Sequence, residues 1–314
     1  MKILTFTQAV TIADLAVERL AKYIYHNGLK AVVLGISGGI DSAVVAVLGL
    51  KTIELLARRG YEVNYRYFFL DADSASEDFL KAKDLAFAFN FKLEFLDLTG
   101  WYLDSPLLGL IPQDHPRTRV AHGNIKCRLR MISLLHLAQL EGGIYLDTDD
   151  LSEELMGFWT RHGDEGDVKI IQHLTKDEVY DFGEHLGIPA SILNAPPGDG
   201  LKVTPSSAAQ DQLGLPYLMT DYIMSRFIRA GLDVNGNLDQ LELSKFYYLL
   251  LAVAVELRQP AEKVDAVLRQ ALKTAFKRRY GDNVAHLLSS RRELGLPEFG
   301  TKAFNELYLA AIRR

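Results

Sequence analysis

The stretch that decides the fold is Val32-Val33-Leu34-Gly35-Ile36-Ser37-Gly38-Gly39-Ile40-Asp41-Ser42-Ala43. Residues 31–36 are apolar and rich in β-branched side chains, which is typical of a strand buried on both faces, and apolar residues at helical spacing over 43–56 predict a helix. The glycines between them allow a sharp turn, because glycine tolerates positive φ and carries no Cβ. Backbone N–H groups at the start of the helix can then converge on an anion. The stretch therefore predicts a strand, a phosphate-binding loop and a helix.

Length and composition favour a single globular domain. The chain has 314 residues, 48% of them apolar, and no linker that would divide it. Its one cysteine, Cys127, excludes an internal disulfide and a CxxC metal site. The longest apolar run, 246–255, is too short to span a bilayer, so we expect a cytoplasmic protein with no membrane partner. The formal net charge of −5 offers no basic surface to a nucleic acid.

Strand and helix patterns alternate along most of the chain and then give way to helices alone. The predicted strands are 31–36, 63–70, 91–98 and 143–147, and the predicted helices are 7–26, 43–56, 75–89, 124–139, 175–186, 222–229, 241–256 and 262–279. Such alternation predicts a doubly wound, mainly parallel α/β sheet of Rossmann-like type, with ligands at the carboxyl ends of its strands. We predict a long connection at 99–122, a polar segment from 148 to 167, a mobile loop at 194–216 and a helical extension from 217 to 314.

The loop differs from a Walker phosphate loop at one decisive position. A Walker loop has a lysine before its final Ser or Thr, whereas this chain has Asp41 before Ser42. A carboxylate beside phosphates needs a cation, so we predict that Asp41 binds Mg2+ and that the backbone amides bind pyrophosphate. The loop resembles the SGGxDS loop of the N-type ATP pyrophosphatases, which cleave ATP between the α and β phosphates. A glycine-rich turn without a ligand is the alternative interpretation.

Three longer motifs follow the loop in a fixed order. They are GNIKCRLRM at 123–131, DTDDLSE at 147–153 and GFWTRHGDEGD at 157–167. With the shorter elements LTK at 174–176, LGIP at 186–189 and FKRR at 276–279, they resemble the NAD synthetase family. The resemblance spans residues 31–279. It implies an adenine nucleotide alpha hydrolase type of fold and an ammonia-dependent ligase.

The implied reaction joins ammonia to the carboxylate of deamido-NAD. The carboxylate attacks the α phosphorus of ATP, pyrophosphate leaves, and ammonia then displaces AMP from the acyl adenylate. The family also implies a homodimer. Family members that use glutamine carry an amidohydrolase domain before the loop, and about 30 residues precede the first strand here, too few for a domain. We therefore expect free ammonia to be the nitrogen donor.

The resemblance assigns a role to each matching residue. The residues expected to bind ATP are Gly35, Ile36, Ser37, Gly38, Gly39, Ile40, Asp41, Ser42, Thr148, Lys176 and Lys277. The dinucleotide is assigned to Arg128, Arg161 and Asp167, Mg2+ to Asp41 and Glu153, and catalysis to Asp41 and Lys176. Arg128 can also be a solvated helix residue, and Glu153 an early-helix carboxylate favoured by the helix dipole. Lys176 follows Thr175, which forms a predicted capping box with Glu178. A cation at a helix start is slightly unfavourable by itself, so a phosphate partner is the better interpretation of Lys176.

Three positions depart from the family pattern. Asp147 replaces the usual glycine, Asn194 a common lysine, and Gly198 a Ser or Thr. These changes leave open a different carboxylate substrate, while the loop and the adenylation chemistry are unaffected. Two other classes also remain open, a tRNA-thiolating or sulfur-transfer pyrophosphatase and a non-catalytic nucleotide-binding homologue. The first would be expected to show paired cysteines or a basic face, and the presence of both Asp41 and Glu153 disfavours the second.

Overall fold

A computed structural model describes residues 2–198, 201, 208–235, 243–278, 285–286 and 290–313. Its strands are β1 Ala31–Gly35, β2 Asn64–Asp71, β3 Leu93–Asp97, β4 Ile144–Asp147, β5 Val168–Lys169 and β6 Ala285–His286. Its α-helices are α1 Phe6–His26, α2 Ile40–Arg58, α3 Ser76–Ala88, α4 Thr99–Leu103, α5 Thr118–Leu140, α6 Leu151–Met156, α7 Lys176–Leu186, α8 Ala190–Leu193, α9 Ala208–Leu213, α10 Tyr217–Arg229, α11 Tyr247–Leu257, α12 Ala261–Lys273, α13 Ala275–Arg278 and α14 Lys302–Ile312. Short 3-10 helices span Pro106–Leu110 and Leu243–Phe246.

The strands form one sheet in the order β3-β2-β1-β4-β5-β6, and every neighbouring pair is parallel. From β1 the chain winds outward through β2 to β3, then returns to the other side of β1 and winds outward again from β4. The winding direction therefore reverses between β1 and β4. The predicted Rossmann-like, doubly wound fold is confirmed, and a ligand cleft is expected at the carboxyl ends of these two central strands.

Alternation along the strands divides the core between the two faces of the sheet. Val32 and Leu34 face the side covered by α1, α2, α3 and α7. Val33 points the other way and packs with Phe68, Tyr145 and Leu134 of α5. Both sets are fully or almost fully buried, as expected for a central parallel strand with helices on both sides. A separate apolar cluster joins α6, α10, α11, α12 and α14.

The region 99–122 contains regular structure, so the prediction of a long connection is wrong. Ser105 caps a 3-10 helix through the Leu107 N–H at 3.3 Å, and Pro106 occupies its first position. Helix α5 then starts at Thr118 rather than near residue 124, and the Thr118 hydroxyl donates to the Pro112 carbonyl at 2.7 Å. Residues 118–123 of α5 contain only two apolar side chains, Val120 and Ala121, which is why apolar spacing did not indicate this part of the helix.

The predicted polar segment 148–167 contains α6, a helix too short to show periodicity. The predicted helix 262–279 is divided at Thr274, and the one predicted at 241–256 starts at Tyr247 after a 3-10 turn. Residues 199–200, 202–207, 236–242, 279–284, 287–289 and 314, which belong to predicted elements, lie outside the described residues. Within the described chain, no helix has the length and apolar character needed to cross a bilayer.

Candidate active site

The glycine loop connects β1 to α2 and is held by two serines. Ser42, buried in the first turn of α2, donates to the Gly39 carbonyl at 3.1 Å and accepts from the Ser37 N–H at 3.2 Å. Their hydroxyls lie 3.0 Å apart. Gly38 has φ +86°, and a Cβ there would lie 2.4 Å from the Asp78 carbonyl oxygen, so this position requires glycine. The loop is thus built by internal hydrogen bonds that leave the amino end of α2 facing the sheet edge.

Lys176, the first residue of α7, is the centre of a cluster of charges. Its ammonium nitrogen lies 2.9 Å from Asp41 Oδ2, 3.0 Å from Asp150 Oδ2 and 2.8 Å from Glu153 Oε1. The Tyr217 ring covers the same nitrogen, with its centroid 5.7 Å away. The lysine side chain is only 3% exposed. Three elements that are far apart in sequence, α2, α6 and α7, therefore place their first turns around one cation.

Burial and charge act on the ionisation of this cluster in opposite directions. Burial alone lowers the pKa of Lys176, but the facing carboxylates of Asp150, Asp41 and Glu153 raise that pKa well above its ordinary value. Burial raises the pKa of Asp150 to about 6, even though Lys176 opposes the change. Burial also raises the pKa of Glu153 well above its ordinary value. The lysine is therefore charged at neutral pH.

Helix α6 presents two of these acids and starts with an internal cap. The Asp150 carboxylate accepts from the Glu153 N–H at 2.9 Å, which fixes the first turn. Ser152 accepts from the Lys176 N–H at 2.8 Å and donates to Asp221 of α10 at 2.8 Å. The starts of α6 and α7 are therefore joined to each other directly, and Asp150 belongs to the site although the sequence motifs did not assign it there.

Asp147, one of the departures from the family pattern, supports the turn after β4. It is fully buried and accepts from the Asp149 N–H at 2.8 Å and from the Gly166 N–H at 2.7 Å. Lys169 of β5 lies 3.8 Å from Asp147 and 3.1 Å from Asp149. The acid that replaces the family's glycine is thus paired with a buried lysine, Lys169 of β5. Thr148, assigned to ATP, is half-buried between these two acids.

Of the three residues assigned to the dinucleotide, Arg128 and Arg161 contact each other, and Asp167 contacts the sheet. Arg128 is exposed, and its guanidinium donates to the Arg161 carbonyl at 3.2 Å. The Arg161 guanidinium lies 5.8 Å from the centroid of the Phe276 ring. Asp167 accepts from the Tyr145 N–H at 2.9 Å, which joins the start of β5 to β4. Arg128 and Arg161 are therefore neighbours, whereas the described contacts of Asp167 support the sheet.

Lys277 and Arg278 bind the carboxyl end of α6. Lys277 donates to the carbonyls of Gly157, at 2.6 Å, and Trp159. Arg278 donates to the Leu155 carbonyl at 2.9 Å. Cations at a helix carboxyl end satisfy carbonyls that have no partner within the helix. The described hydrogen bonds of Lys277 are thus with the protein backbone, and its assignment to ATP stays a prediction. Arg279 lies outside the described residues.

The carboxylate pair predicted to bind Mg2+ is compatible with that ion. Within the described chain, no group of three or more His, Cys, Asp or Glu side chains could hold a metal ion by itself. Asp41 and Glu153 nevertheless contact the same nitrogen of Lys176, so they lie close together. Asp41 Oδ1 is buried and has no hydrogen-bond partner among the described residues. Mg2+ usually needs only one or two carboxylates when phosphates and waters complete its shell.

Three residues of the charge clusters were not indicated by the sequence motifs. Asp150, Lys169 and Tyr217 reach the charge clusters only through tertiary packing. The one available signal was the spacing of Asp150 and Glu153, which is typical of a helix cap. A lysine in the apolar run Val168-Lys169-Ile170-Ile171 indicates a buried partner but does not say which one.

Known sequences match most of this chain. The family model described as NAD synthase matches residues 12–280. The NH(3)-dependent NAD(+) synthetase of Thermoplasma volcanium is 33% identical over 218 residues, which cover 68% of this chain and 84% of that protein. The protein of the same name from Mesoplasma florum is 32% identical over 229 residues, which cover 73% of this chain and 89% of that protein.

Solved structures show the same architecture. The NAD+ synthetase from Burkholderia pseudomallei aligns with a TM-score of 0.61 at 25% identity, over 87% of this chain and 90% of that one. The NMN synthetase from Francisella tularensis aligns with a TM-score of 0.63 at 22% identity, over 90% of this chain and 98% of that one. The second likeness concerns the fold alone.

Proposed function

The chain belongs to the NAD synthase family, and on that basis we propose that it amidates deamido-NAD to NAD with ATP and free ammonia. Ammonia is the donor named for the relatives. Family membership also favours this ligase over a sulfur-transfer pyrophosphatase. Ammonia cannot displace oxide from the substrate carboxylate, because oxide is a poor leaving group. Adenylation gives the carboxyl carbon a good leaving group, AMP. The reaction therefore needs no protein nucleophile.

The single observation that supports the proposal most is the meeting of Asp41, Glu153 and Lys176 at the start of three helices. Phosphoryl and adenylyl transfer build negative charge on phosphate oxygens, so fixed positive charge stabilises the transition state. Lys176 supplies one such charge and holds it at neutral pH. Backbone N–H groups at the amino end of α2 supply further donors for the departing pyrophosphate.

Asp41 and Glu153 would hold Mg2+ in this proposal. The ion would neutralise charge on the phosphate oxygens of ATP when bound. Asp150 remains the cap of α6 and the constant partner of Lys176, which keeps the lysine oriented toward the loop. Arg128 and Arg161 would bind the phosphates or the carboxylate of the dinucleotide, because a guanidinium can donate two parallel hydrogen bonds to such groups.

The proposal is tested by incubating the protein with ATP, Mg2+, deamido-NAD and ammonium chloride. We expect AMP and NAD to form in equal amounts, and neither to form without ammonia beyond a slow background. Omission of deamido-NAD is the matched control for simple ATP hydrolysis. AMP without NAD, or no nucleotide cleavage at all, would contradict the function.

We also propose a two-fold homodimer, as the family resemblance implies. Apolar side chains remain exposed on α4, the 3-10 helix and α5: Trp101 is 70% exposed, Leu110 73% and Ile132 59%. Apolar patches of this kind commonly mark protein interfaces. Sedimentation velocity at assay concentration should give the mass of two chains. An active monomer would contradict the proposal.

A further inference from the structure

The segment 290–313 lies beyond the family match, which ends at residue 280. It nevertheless contributes to the interior of the protein. Leu294 and Leu296 are buried in the core on the α1 and α2 side of the sheet. Phe304 and Tyr308 of α14 are fully buried in the C-terminal cluster, with their rings stacked at 4.0 Å. The segment therefore contacts both apolar clusters, and the start of α7 lies between them.

Arg291 forms a buried, forked ion pair with Glu178 of α7. Its two terminal nitrogens lie 2.8 Å from Glu178 Oε2 and 2.6 Å from Oε1. Arg291 is 6% exposed and Glu178 is fully buried. The guanidinium also donates to the carbonyls of His173, at 2.8 Å, and Pro297, at 2.9 Å. A forked guanidinium fixes the carboxylate in both distance and orientation.

Glu178 is itself half of the capping box that starts α7. Its carboxylate accepts from the Thr175 N–H at 2.9 Å, while the Thr175 side chain accepts from the Glu178 backbone. The Thr175 hydroxyl also bonds the hydroxyl of Tyr308. Arg291 and Tyr308 thus hold both members of the capping box, and we call these two residues the C-terminal clamp. The residue between Thr175 and the rest of α7 is Lys176.

We propose that the C-terminal clamp positions Lys176 for catalysis. The inference rests on the proposed function, since it takes Lys176 as the cation at the reacting phosphate. The backbone of Lys176 follows directly from the capped residue Thr175, and its N–H is fixed by Ser152 at 2.8 Å. A small rotation of the first turn of α7 would move the ammonium away from Asp41, Asp150 and Glu153. Arg291 and Tyr308 are positioning residues, because neither contacts those acids.

The test compares Arg291→Met, Arg291→Lys and Tyr308→Phe with two matched controls. Arg292→Met changes the exposed neighbour of Arg291, and Tyr248→Phe removes the hydroxyl of a tyrosine that is 85% exposed. We expect Arg291→Met to lower kcat about tenfold or more, with a change of less than about twofold in KM for deamido-NAD. Arg291→Lys and Tyr308→Phe should lower kcat less, and the controls should leave it unchanged. An unchanged kcat in Arg291→Met and Tyr308→Phe would overturn the proposal.

A double-mutant cycle separates positioning from general damage. If the clamp acts through Lys176, Arg291→Met should cost less than about twofold in a Lys176→Met background. Independent, multiplying losses would overturn the proposal.

Hydrogen exchange provides a readout that does not depend on activity, and so separates failure of the clamp from failure of the proposed function. We expect Arg291→Met, or Tyr308→Phe if the first variant does not fold, to speed exchange at the first turn of α7 but not in α5. Equal acceleration in both helices, or none in α7, would overturn the clamp even if NAD is made.

Discussion

Asp41 distinguishes this loop from a lysine-dependent phosphate loop by placing a carboxylate where that loop has a lysine. It lies in the first turn of α2, and one of its oxygens is 2.9 Å from Lys176. Asp41→Asn keeps the size and removes the charge, so we expect kcat to fall by two orders of magnitude or more, on the order of 3 kcal/mol. Glu153→Gln should behave similarly. Steady-state kinetics at saturating Mg2+ measures both.

Folding provides the control for these two variants. Each variant leaves Lys176 two carboxylate partners, so thermal unfolding should change little even though both side chains are only about one-fifth exposed. Asp14→Asn, at an exposed site on α1, should affect neither property. Near-normal turnover in either active-site variant would remove the metal assignment and leave Asp41 as an acid favoured by the start of α2.

Arg161 separates the two substrates. Its guanidinium lies over Phe276, and its backbone carbonyl accepts from Arg128, the other arginine assigned to the dinucleotide. Arg161→Ala should therefore raise KM for deamido-NAD much more than KM for ATP. Arg58→Ala, which removes an exposed arginine at the far end of α2, is the control. An equal rise for both substrates would indicate a structural function for Arg161.

His173 gives stability a distinct dependence on pH. Burial, together with the nearby charge of Arg291, lowers the pKa of His173 to about 4. Within the described chain neither ring nitrogen has a hydrogen-bond partner. The unfolded chain binds a proton near pH 6.5 and the folded chain does not, so this residue's stabilising contribution is present above pH 6.5 and declines toward pH 4. The decline is at most about 1.4 kcal/mol per pH unit.

Denaturant unfolding of the wild type and His173→Leu at pH 7 and pH 5 isolates this contribution. We expect the wild type to lose more stability than the variant between the two values. The buried acids with raised pKa act in the opposite direction, but they are present in both proteins and cancel in the comparison. Identical losses would contradict the buried, neutral state of His173.

At the scale of elements, the connection between α6 and α12 depends on one glycine. Gly157 ends α6 with φ +68°, and a Cβ there would lie 2.3 Å from Thr274 Cβ. Gly187 ends α7 with φ +80° and has open space around it. Gly187→Ala should cost about 1–2 kcal/mol of unfolding free energy from the backbone alone. Gly157→Ala should cost about 1–3 kcal/mol more, because it adds a clash.

Denaturant unfolding of both variants measures the difference. Gly157→Ala should also lower kcat, since α6 carries Glu153, whereas Gly187→Ala should leave it near normal. Equal destabilisation by the two substitutions would contradict this prediction, because it would mean that Thr274 moves aside with no loss of unfolding free energy.

Elements with a clear period were predictable from the sequence, and short ones were not. The strand 31–36, the helix after the loop and the capping box of Thr175 and Glu178 are confirmed, because each follows from local apolar spacing or local hydrogen bonds. Helix α6 and strand β5 have six and two residues, too few to display a period. The start of α5 was missed for a different reason, because few of its residues are apolar.

At the scale of the whole molecule, the motifs indicated which residues matter but not how they meet. The parallel sheet brings the ends of β1 and β4 together, and this much follows from the fold class. The position of Lys176 among three acids does not follow from it, because that position depends on how α7 docks against α6 and α10. Likewise, Arg291 and Tyr308 reach α7 from a segment that no motif covers.

The choice between ammonia and glutamine as nitrogen donor is tested on the whole protein. We expect NAD formation to require ammonium and to proceed poorly with glutamine, since the relatives named above are NH(3)-dependent. Assays with each donor at equal concentration, in glutaminase-free preparations, measure the preference. Equal rates with both donors would contradict the expectation.

The most direct test of the proposed chemistry follows oxygen through the reaction. Deamido-NAD labelled with 18O in its carboxylate is incubated with the protein, ATP, Mg2+ and ammonia, and the products are analysed by mass spectrometry. If the carboxylate attacks the α phosphorus, one 18O atom appears in the phosphate of AMP, the other stays in the amide of NAD, and pyrophosphate is unlabelled. Label in pyrophosphate or inorganic phosphate, or AMP that carries no label, would contradict attack of the carboxylate on the α phosphorus.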